Sequence, residues 1–538
     1  MESMAIDLET TARTPLHAAH VDALREVSEV VHFEAGELVG RIGEVNDRFI
    51  YVLEGEIEAL DPVTNERFLT ASLGPGQFLG EISFLSGASS MLSARAAAQT
   101  TALVAPRRKV LDLMSSIPEM SDIIVSVFAG RRRRLLESNL AGLTIIGAEM
   151  DPAIERIAAF ASRNRVPFRN LDTDDEEAYR FADVCGIEPG APAVIFGRDQ
   201  VVHEPTSRKV ARLFGLDLCT GDQDTYDVLI VGGGPAGVAA GVYAGSEGLS
   251  ALVVDDLAIG GQAGTSSRIE NYMGFPTGIS GADLCWRGAV QAMKFGTRFA
   301  IPRRVTALHC GGDAGFRAQL DDGVCVKARA VVVATGVQYR RLPIDGLQGL
   351  EGAGIYYAAT EMEARYCRHS DAVVIGGGNS AGQAAMFLSR SAKHVHVLVR
   401  GRSLAASMSS YLSERLKRDP RISIHFCTEM TALHADERLI GIDVRDKDTG
   451  ETRTIETAAV FVMVGAAPNT SWLGDTVRTN ERGYICTGHG GGRFITSRPG
   501  VFAVGDVRAD SVKRVASAVG EGSVVISEVW SFLHPNGA

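Results

Sequence analysis

Short apolar runs punctuated by glycine recur along the chain, and what separates them changes from one region to the next. From Val31 to about Pro106, β-rich pieces (Glu29–Phe33, Arg48–Leu53, Glu56–Leu60, Phe68–Leu73 and Ala102–Ala105) alternate with glycine turns at Gly36, Gly43, Gly55, Gly74 and Gly76. Regular short strands with turn signals predict a sandwich or barrel. A short amphipathic helix is expected at Val21–Val30, and Arg108–Leu140 reads as helix broken by Pro118. The next region reads strand Leu143–Gly147, helix Pro152–Arg163, extended Pro167–Leu171, helix Asp175–Cys185 and strand Ala193–Phe196, a βαβαβ order. Gly221–Thr225 is a polar linker. Beyond it, Val228–Gly232 is too short for a helix and reads as a buried parallel strand, followed by helix Ala236–Glu247 and strand Ala251–Val254. Ala330–Gly336 reads as a buried strand ending in a turn, an apolar strand leads into the G-x-G stretch Val373–Gly382, His394–Val399 is a further strand, and Val501–Val507 is a strand-turn. Helices are expected at Ala381–Ala392 and from Lys513 onward.

Two strand-to-helix turns carry chemistry. The first holds Gly232, Gly233, Gly234, Pro235, Ala236 and Gly237 in a G-x-G-x-x-G spacing. The first glycine of that spacing makes the tight turn, the second admits a pyrophosphate, and the third lets helix and strand approach. The helix N-terminus then offers free N–H groups to the phosphates. Asp255 closes the second strand, where an acid is expected to hold a ribose hydroxyl. The second turn, with Gly376, Gly378, Asn379 and Ser380, is followed after the next strand by Arg400-Gly401-Arg402. A cation there suits the 2′-phosphate of NADP, as an acid suits a bare ribose.

At 538 residues the chain exceeds one domain. A net charge of −11 argues against a general nucleic-acid or anionic-membrane binder. No apolar run reaches membrane-spanning length, and the start of the chain lacks the order of a secretory signal. Eight cysteines without a C-x-x-C pair point to a reduced, cytoplasmic protein with neither a disulfide framework nor a metal site. The run Arg131–Arg134 is expected to be a solvated helix end, and no helix-turn-helix follows it.

Phe78–Arg95, with Gly80 and Glu81, resembles the phosphate-binding stretch of a cyclic-nucleotide-binding domain. That resemblance implies a pocket at Gly80 and Glu81. The arginine expected ten residues after the glycine is Ser90, so the reading favours a structural or regulatory module over a working cyclic-nucleotide site. The βαβαβ region resembles the thioredoxin and glutaredoxin fold, with Ala191-Pro192 at the family's cis-proline position. Its Gly147–Pro152 turn holds no thiol, which implies a spacer or docking domain.

The motifs GGGPAG, GGQ, ENY, VVVATG, GGGNSA, FAVGD and KRVASAVGEG resemble thioredoxin reductase along the whole C-terminal half. The resemblance implies FAD at Gly232–Gly237, Asp255, Gly261, Gln262, Ser267, Asn271, Thr335, Gly336, Gly505, Asp506, Arg514 and Val515. It implies NADPH, with NADH as the alternative, at Gly376–Ser380, Arg400 and Arg402, and a homodimer. The family's redox C-A-T-C aligns with Ala358 to Glu361, so both cysteine positions are empty of sulfur and the catalytic group is unknown. The expected fold is multidomain. A β-roll with helices (1–138) and a degenerate thioredoxin-like α/β domain (139–220) come first. Two Rossmann-like domains of three-layer ββα type follow, for FAD (221–341 and 466–538) and NAD(P)H (342–465). The expected function is an NAD(P)H-dependent flavoprotein oxidoreductase whose electron acceptor, a small molecule or redox protein, is not the usual active-site disulfide. A flavin-binding sensor of little turnover, and a thioredoxin-disulfide reductase using other cysteines, are the alternatives.

Overall fold

The glycine-punctuated N-terminal strands form two sheets in a computed structural model of the chain. The structure describes residues 12–535 except 62–64, 69–71, 138–141, 149–150, 189–190, 198–199, 217–224, 267–268, 270, 312–314, 341, 351–353, 358, 360, 369, 406 and 437. Helix α1 (Ala18–Arg25) ends before β1 (Glu29–Phe33), so the strand claims the end of the helix expected at Val21–Val30. The roll continues with β2 (Leu38–Gly40), β3 (Arg48–Glu54), β4 (Ile57–Leu60), β5 (Phe78–Leu79), α2 (Ser83–Ser86), β6 (Ser93–Ala96) and β7 (Thr100–Pro106). The sheets run β1-β7-β3-β5 and β2-β6-β4, and Phe33, Val39, Ile50, Ile57, Ala94 and Ala102 from both form one apolar core. Helices α3 (Arg107–Ser116) and α4 (Pro118–Glu137) follow, divided by the proline as its missing N–H requires. Part of the strand expected at Phe68–Leu73, and most of the expected linker, lie outside the described residues.

The middle region holds β8 (Leu143–Ile146), α5 (Pro152–Arg163), β9 (Phe168–Leu171), α6 (Glu176–Cys185) and β10 (Ala193–Phe196). This is the expected βαβαβ order, and β11 (Gln200–His203) and α7 (Ser207–Leu213) extend it to a sheet of order β11-β10-β8-β9. Asp151 caps α5 by accepting from the Ala153 N–H at 2.7 Å. Ala191-Pro192 is not cis; among the described residues the cis peptide is Ile301-Pro302.

The C-terminal half opens with β12 (Thr225–Val231), α8 (Pro235–Ser246), β13 (Ala251–Val254), α9 (Gly281–Lys294) and β14 (Arg298–Ala300), and then the meander β15 (Val305–Cys310), β16 (Phe316–Leu320) and β17 (Cys325–Val333). Strands β14, β13, β12 and β17 run parallel, and the apolar runs Val228–Val231, Ala251–Val254 and Ala330–Val333 are buried on both faces. A single strand, β18 (Val337–Tyr339), leaves this domain.

The inserted domain holds β19 (Ile355–Tyr356), α10 (Glu361–Tyr366), β20 (Asp371–Ile375), α11 (Asn379–Leu388), β21 (His394–Val399), α12 (Ser410–Arg418) and β22 (Ile422–Phe426). It continues with β23 (Thr428–Ala435), β24 (Leu439–Asp446), β25 (Thr452–Glu456) and β26 (Ala459–Val462). Its parallel sheet, β19-β26-β20-β21-β22, is covered by α11 and α12 on one face and the β23–β25 meander on the other. The chain returns through β27 (Ala466–Pro468), paired antiparallel with β18, to β28 (Val501–Ala503) and α13 (Val515–Leu533).

The regions share one apolar core, which runs from Phe78 and Phe128 of the roll through Phe160 and Phe214 to Val228, Ala289 and Ile526. Polar ties reinforce it. Arg165 pairs with Asp283 and lies over the Trp286 ring of α9, while Arg438 reaches Glu155 of α5 at 3.3 Å. Among the described residues no helix is long and apolar enough to cross a membrane.

Candidate functional site

Strand β12 is followed by Gly232 at φ +111°, where an added Cβ would lie 2.3 Å from the Ala334 carbonyl oxygen. A Cβ on Gly237 would lie 1.8 Å from the Gly232 oxygen, so glycine there is what lets α8 sit against the strand. Gly234 differs. The nearest atom to a Cβ there is Gly261 Cα at 4.0 Å, so this position faces space. Gly234 also caps α8 without a side-chain bond, Pro235 opens the helix, and the first-turn N–H groups are left for an anion. Asp255, at the end of β13, accepts from the N–H groups of Gly233 (2.7 Å), Leu257 and Ala258 (both 3.0 Å). A carboxylate has about four acceptor positions, so one is left for a ribose hydroxyl. Burial, reinforced by the Asp256 charge, raises the Asp255 pKa.

Gln262 donates to the Val337 carbonyl at 2.6 Å, and Thr335 Oγ1 to that of Asn469 at 2.8 Å; the Asn469 N–H returns to Gly336 at 3.2 Å. These three residues therefore brace the β18–β27 crossing beside the first glycine turn. Asn271 is exposed, and Ser267 lies outside the described residues. Gly505 and Asp506 follow β28 in a tight turn whose Gly505 N–H donates to Glu521 Oε2 at 2.7 Å. Glu521 also pairs with Arg508 at 2.5 Å, both buried. Glu521 is a site residue missed in the sequence reading, although it lies within the KRVASAVGEG stretch. Burial raises the pKa of Asp506, with Lys513 opposing. Arg514 caps α13 without a side-chain bond, leaving the N–H groups from Val515 onward as a second open helix end.

The inserted domain repeats the device. Gly376 turns at φ +149°, Gly378 caps α11 without a side-chain bond, and a Cβ on Gly378 would meet only Ser407 O at 3.8 Å. Asn379 Oδ1 accepts from the Ser409 N–H at 2.8 Å, which fixes the loop over the exposed Ser380. Arg400 is exposed just past β21, and among the described residues no carboxylate pairs with it. Arg402 is instead held by Asp448 at 2.8 Å. Both cradles thus fit a dinucleotide, and the free guanidinium of Arg400 fits a 2′-phosphate.

The redox-position segment is described only in part. Ala358 lies outside the described residues, and Glu361 opens α10. Cys285, Cys310, Cys325, Cys367, Cys427 and Cys486 are free. Burial pushes the Cys285 thiol up to about 12 and the buried Cys367 thiol up to about 11. Reactive thiols are shifted the other way.

The arginine run corrects its sequence reading. Arg131 and Arg132 lie within α4 and fold back on the Gly80–Glu81 stretch instead of ending in solvent. Arg131 donates to the carbonyls of Phe78 (2.7 Å) and Gly80 (2.9 Å), and its burial lowers its pKa to about 10. Arg132 pairs with Glu81 at 2.7 Å, with both side chains 12% exposed. Arg95 is likewise engaged, with Glu58 at 2.6 Å. Glu81 and Arg95 are thus already paired within the chain.

A family model for pyridine nucleotide-disulphide oxidoreductases matches residues 226–522, more than half of the chain. The chain belongs to this family. A cyclic nucleotide-binding domain model matches residues 30–116. The thioredoxin reductase of Streptomyces clavuligerus is 35% identical over 58% of this chain and 94% of its own length. An alkyl hydroperoxide reductase component from Staphylococcus epidermidis is 31% identical over 59% of this chain and 60% of that protein. The solved thioredoxin reductase of Lactococcus lactis aligns with a TM-score of 0.54 at 27% identity, over 58% of this chain and 99% of that one. That of T. acidophilum gives 0.53 at 31%, over 57% and 98%. As a thioredoxin reductase-like member of the pyridine nucleotide-disulphide oxidoreductases, the chain is an oxidoreductase that uses FAD and NADPH.

Proposed function

We propose that this oxidoreductase passes electrons from NADPH to an external acceptor without a dithiol of its own. The acceptor would be a small molecule or a redox protein. The observation that carries the reading is the pairing of two glycine cradles, each under an open helix end, with a redox-position segment whose sequence offers no sulfur. In this reading the first cradle, with Asp255, Gln262, Asn271, Asp506 and the α13 N-terminus, holds FAD; the second, with Arg400, holds NADPH. Bound FAD supplies the two-electron chemistry. The chain's residues orient both dinucleotides and anchor their phosphates. The two domains would divide at 341/342 and 465/466, where the paired crossing strands β18 and β27 lie close by. A homodimer belongs to the reading because Val524, Trp530 and Phe532 of α13 stay exposed; light scattering measures it. Anaerobic reduction with NADPH, followed by a panel of quinones, dyes and protein acceptors, tests the whole.

NADPH is expected to outperform NADH. Removing the Arg400 contact to the extra phosphate should cost about 1.5 kcal/mol, roughly tenfold in KM for NADPH, with NADH unaffected. Equal flavin-reduction rates for the two nucleotides, unchanged in Arg400→Ala, would overturn this assignment.

In the same reading the roll is a structural or regulatory module. With Ser90 in place of the phosphate arginine, cyclic AMP loses on the order of 2 kcal/mol, about 30-fold in affinity. The Arg132–Glu81 pair must also open before Glu81 can meet a ribose. Calorimetry should show no saturable binding at micromolar cyclic AMP; low-micromolar binding would contradict the reading.

A further inference from the structure

The turn between β24 and β25 reaches the loop that follows β21. Three contacts carry the connection. The Cys427 N–H donates to the Gly401 carbonyl at 3.2 Å, and the Lys447 N–H to the Cys427 carbonyl at 2.8 Å. The Asp448 carboxylate then takes Arg402 at 2.8 Å. The turn itself is well defined. Asp446 Oδ1 accepts from the N–H groups of Asp448 (2.8 Å) and Thr449 (3.0 Å), and Gly450 closes it at φ +77°. Lys447 turns away to Glu429 at 3.7 Å, so Arg402 is the cation that neutralises Asp448.

Arg400 and Arg402 project from the loop where a nucleotide's ribose lies in an α/β domain, at the carboxyl end of the strand after the glycine turn. We propose that Asp448 is a specificity-determining residue: an internal counter-charge that occupies Arg402 in competition with the 2′-phosphate and so moderates the preference for NADPH over NADH. The proposal rests on the reading of the second cradle as the NADPH site. Its physics is simple. An NADPH phosphate arriving at Arg400 meets a second guanidinium already neutralised, and beside it a carboxylate of its own sign. NADH carries no such phosphate and is indifferent to both. The Arg402 and Asp448 side chains are 80% and 45% exposed, so the competition is modest and screened by salt.

The test uses full-length protein loaded with FAD. Calorimetry with 2′,5′-ADP and with 5′-AMP reads binding without turnover, and steady-state rates with a dye acceptor give KM and kcat for both nucleotides. Asp448→Asn should bind 2′,5′-ADP about threefold more tightly with 5′-AMP unchanged, and the gain should appear in KM for NADPH but not for NADH. Asp448→Glu should keep the native ratio. Arg402→Ala should weaken 2′,5′-ADP and abolish the effect of Asp448→Asn. The proposal is overturned if Asp448→Asn binds 2′,5′-ADP no better than the native protein, or if it alters both ligands equally. Native protein that binds no 2′,5′-ADP at all would remove the second cradle's assignment, and the proposal with it.

Discussion

Gly234→Val yields a folded, colourless protein. The two glycines that bracket the turn show why this position separates binding from folding. A side chain on Gly237 would lie 1.8 Å from the Gly232 oxygen and force strand and helix apart. A Cβ on Gly234 meets nothing closer than Gly261 Cα at 4.0 Å, so the chain accommodates it. What the valine fills is the space over the α8 N-terminus, where in the proposed reading a pyrophosphate would take its hydrogen bonds. Loss of those charge-assisted bonds, several at about 1.5–3 kcal/mol each, removes FAD at any practical concentration. The purified variant should lack the flavin absorbance band, take up no FAD on reconstitution and show no NADPH turnover. Its circular dichroism and melting temperature should match those of the native apoprotein. A yellow Gly234→Val protein would mean that the cofactor lies elsewhere. Gly237→Val, by contrast, should lower the melting temperature whether or not FAD is present.

The second large effect is an absence. Native protein should not reduce thioredoxin with NADPH, and a variant lacking all eight cysteines should reduce a quinone or dye as fast as the native chain. Passing an electron pair by thiol exchange needs two sulfurs within bonding reach and a thiolate to attack with. Ala358 and Glu361 supply no sulfur at the aligned positions, and the turn before α5 has none. Cys285 and Cys367 are buried with thiols raised to about 12 and 11, the wrong direction for a nucleophile. The buried Cys285, Cys367 and Cys427 are best replaced by alanine and the other five by serine, which keeps hydroxyls out of the described core. Thioredoxin turnover by the native chain that is lost in the variant would reveal a disulfide formed between distant cysteines and overturn the dithiol-free route.

Both glycine cradles were legible because backbone contact with a phosphate tolerates no side chain, and that demand leaves a local spacing. The parallel strands were legible for a similar reason: burial on both faces makes an unbroken apolar run. What could not be read lies in pairings between distant positions. A run of four arginines is the same string whether it meets solvent or folds back, and only the approach of α4 to Glu81, 51 residues away, decides it. Glu521 reads as an ordinary helical glutamate until the Gly505 N–H and Arg508 are seen to converge on it. The half-exposed edge strand Gln200–His203 has no apolar face long enough to announce itself.

The Arg438–Glu155 contact has a mechanical consequence. The inserted domain hangs on two crossing strands, β18 and β27, and a narrow two-strand ribbon resists twisting far less than a sheet does. Like a door on one hinge, such a domain needs a stop. Glu155 is anchored to the side of α9 through the middle region, whose Arg165 pairs with Asp283 of that helix. It meets Arg438 on the swinging side, and the Arg438 guanidinium rests over the Tyr366 ring at 5.1 Å. A rotation about the ribbon that parts the two sides stretches this contact. A partly exposed pair of this kind is worth about 0.2–1 kcal/mol, close to thermal energy. It therefore sets the angle at which the door rests without locking it there.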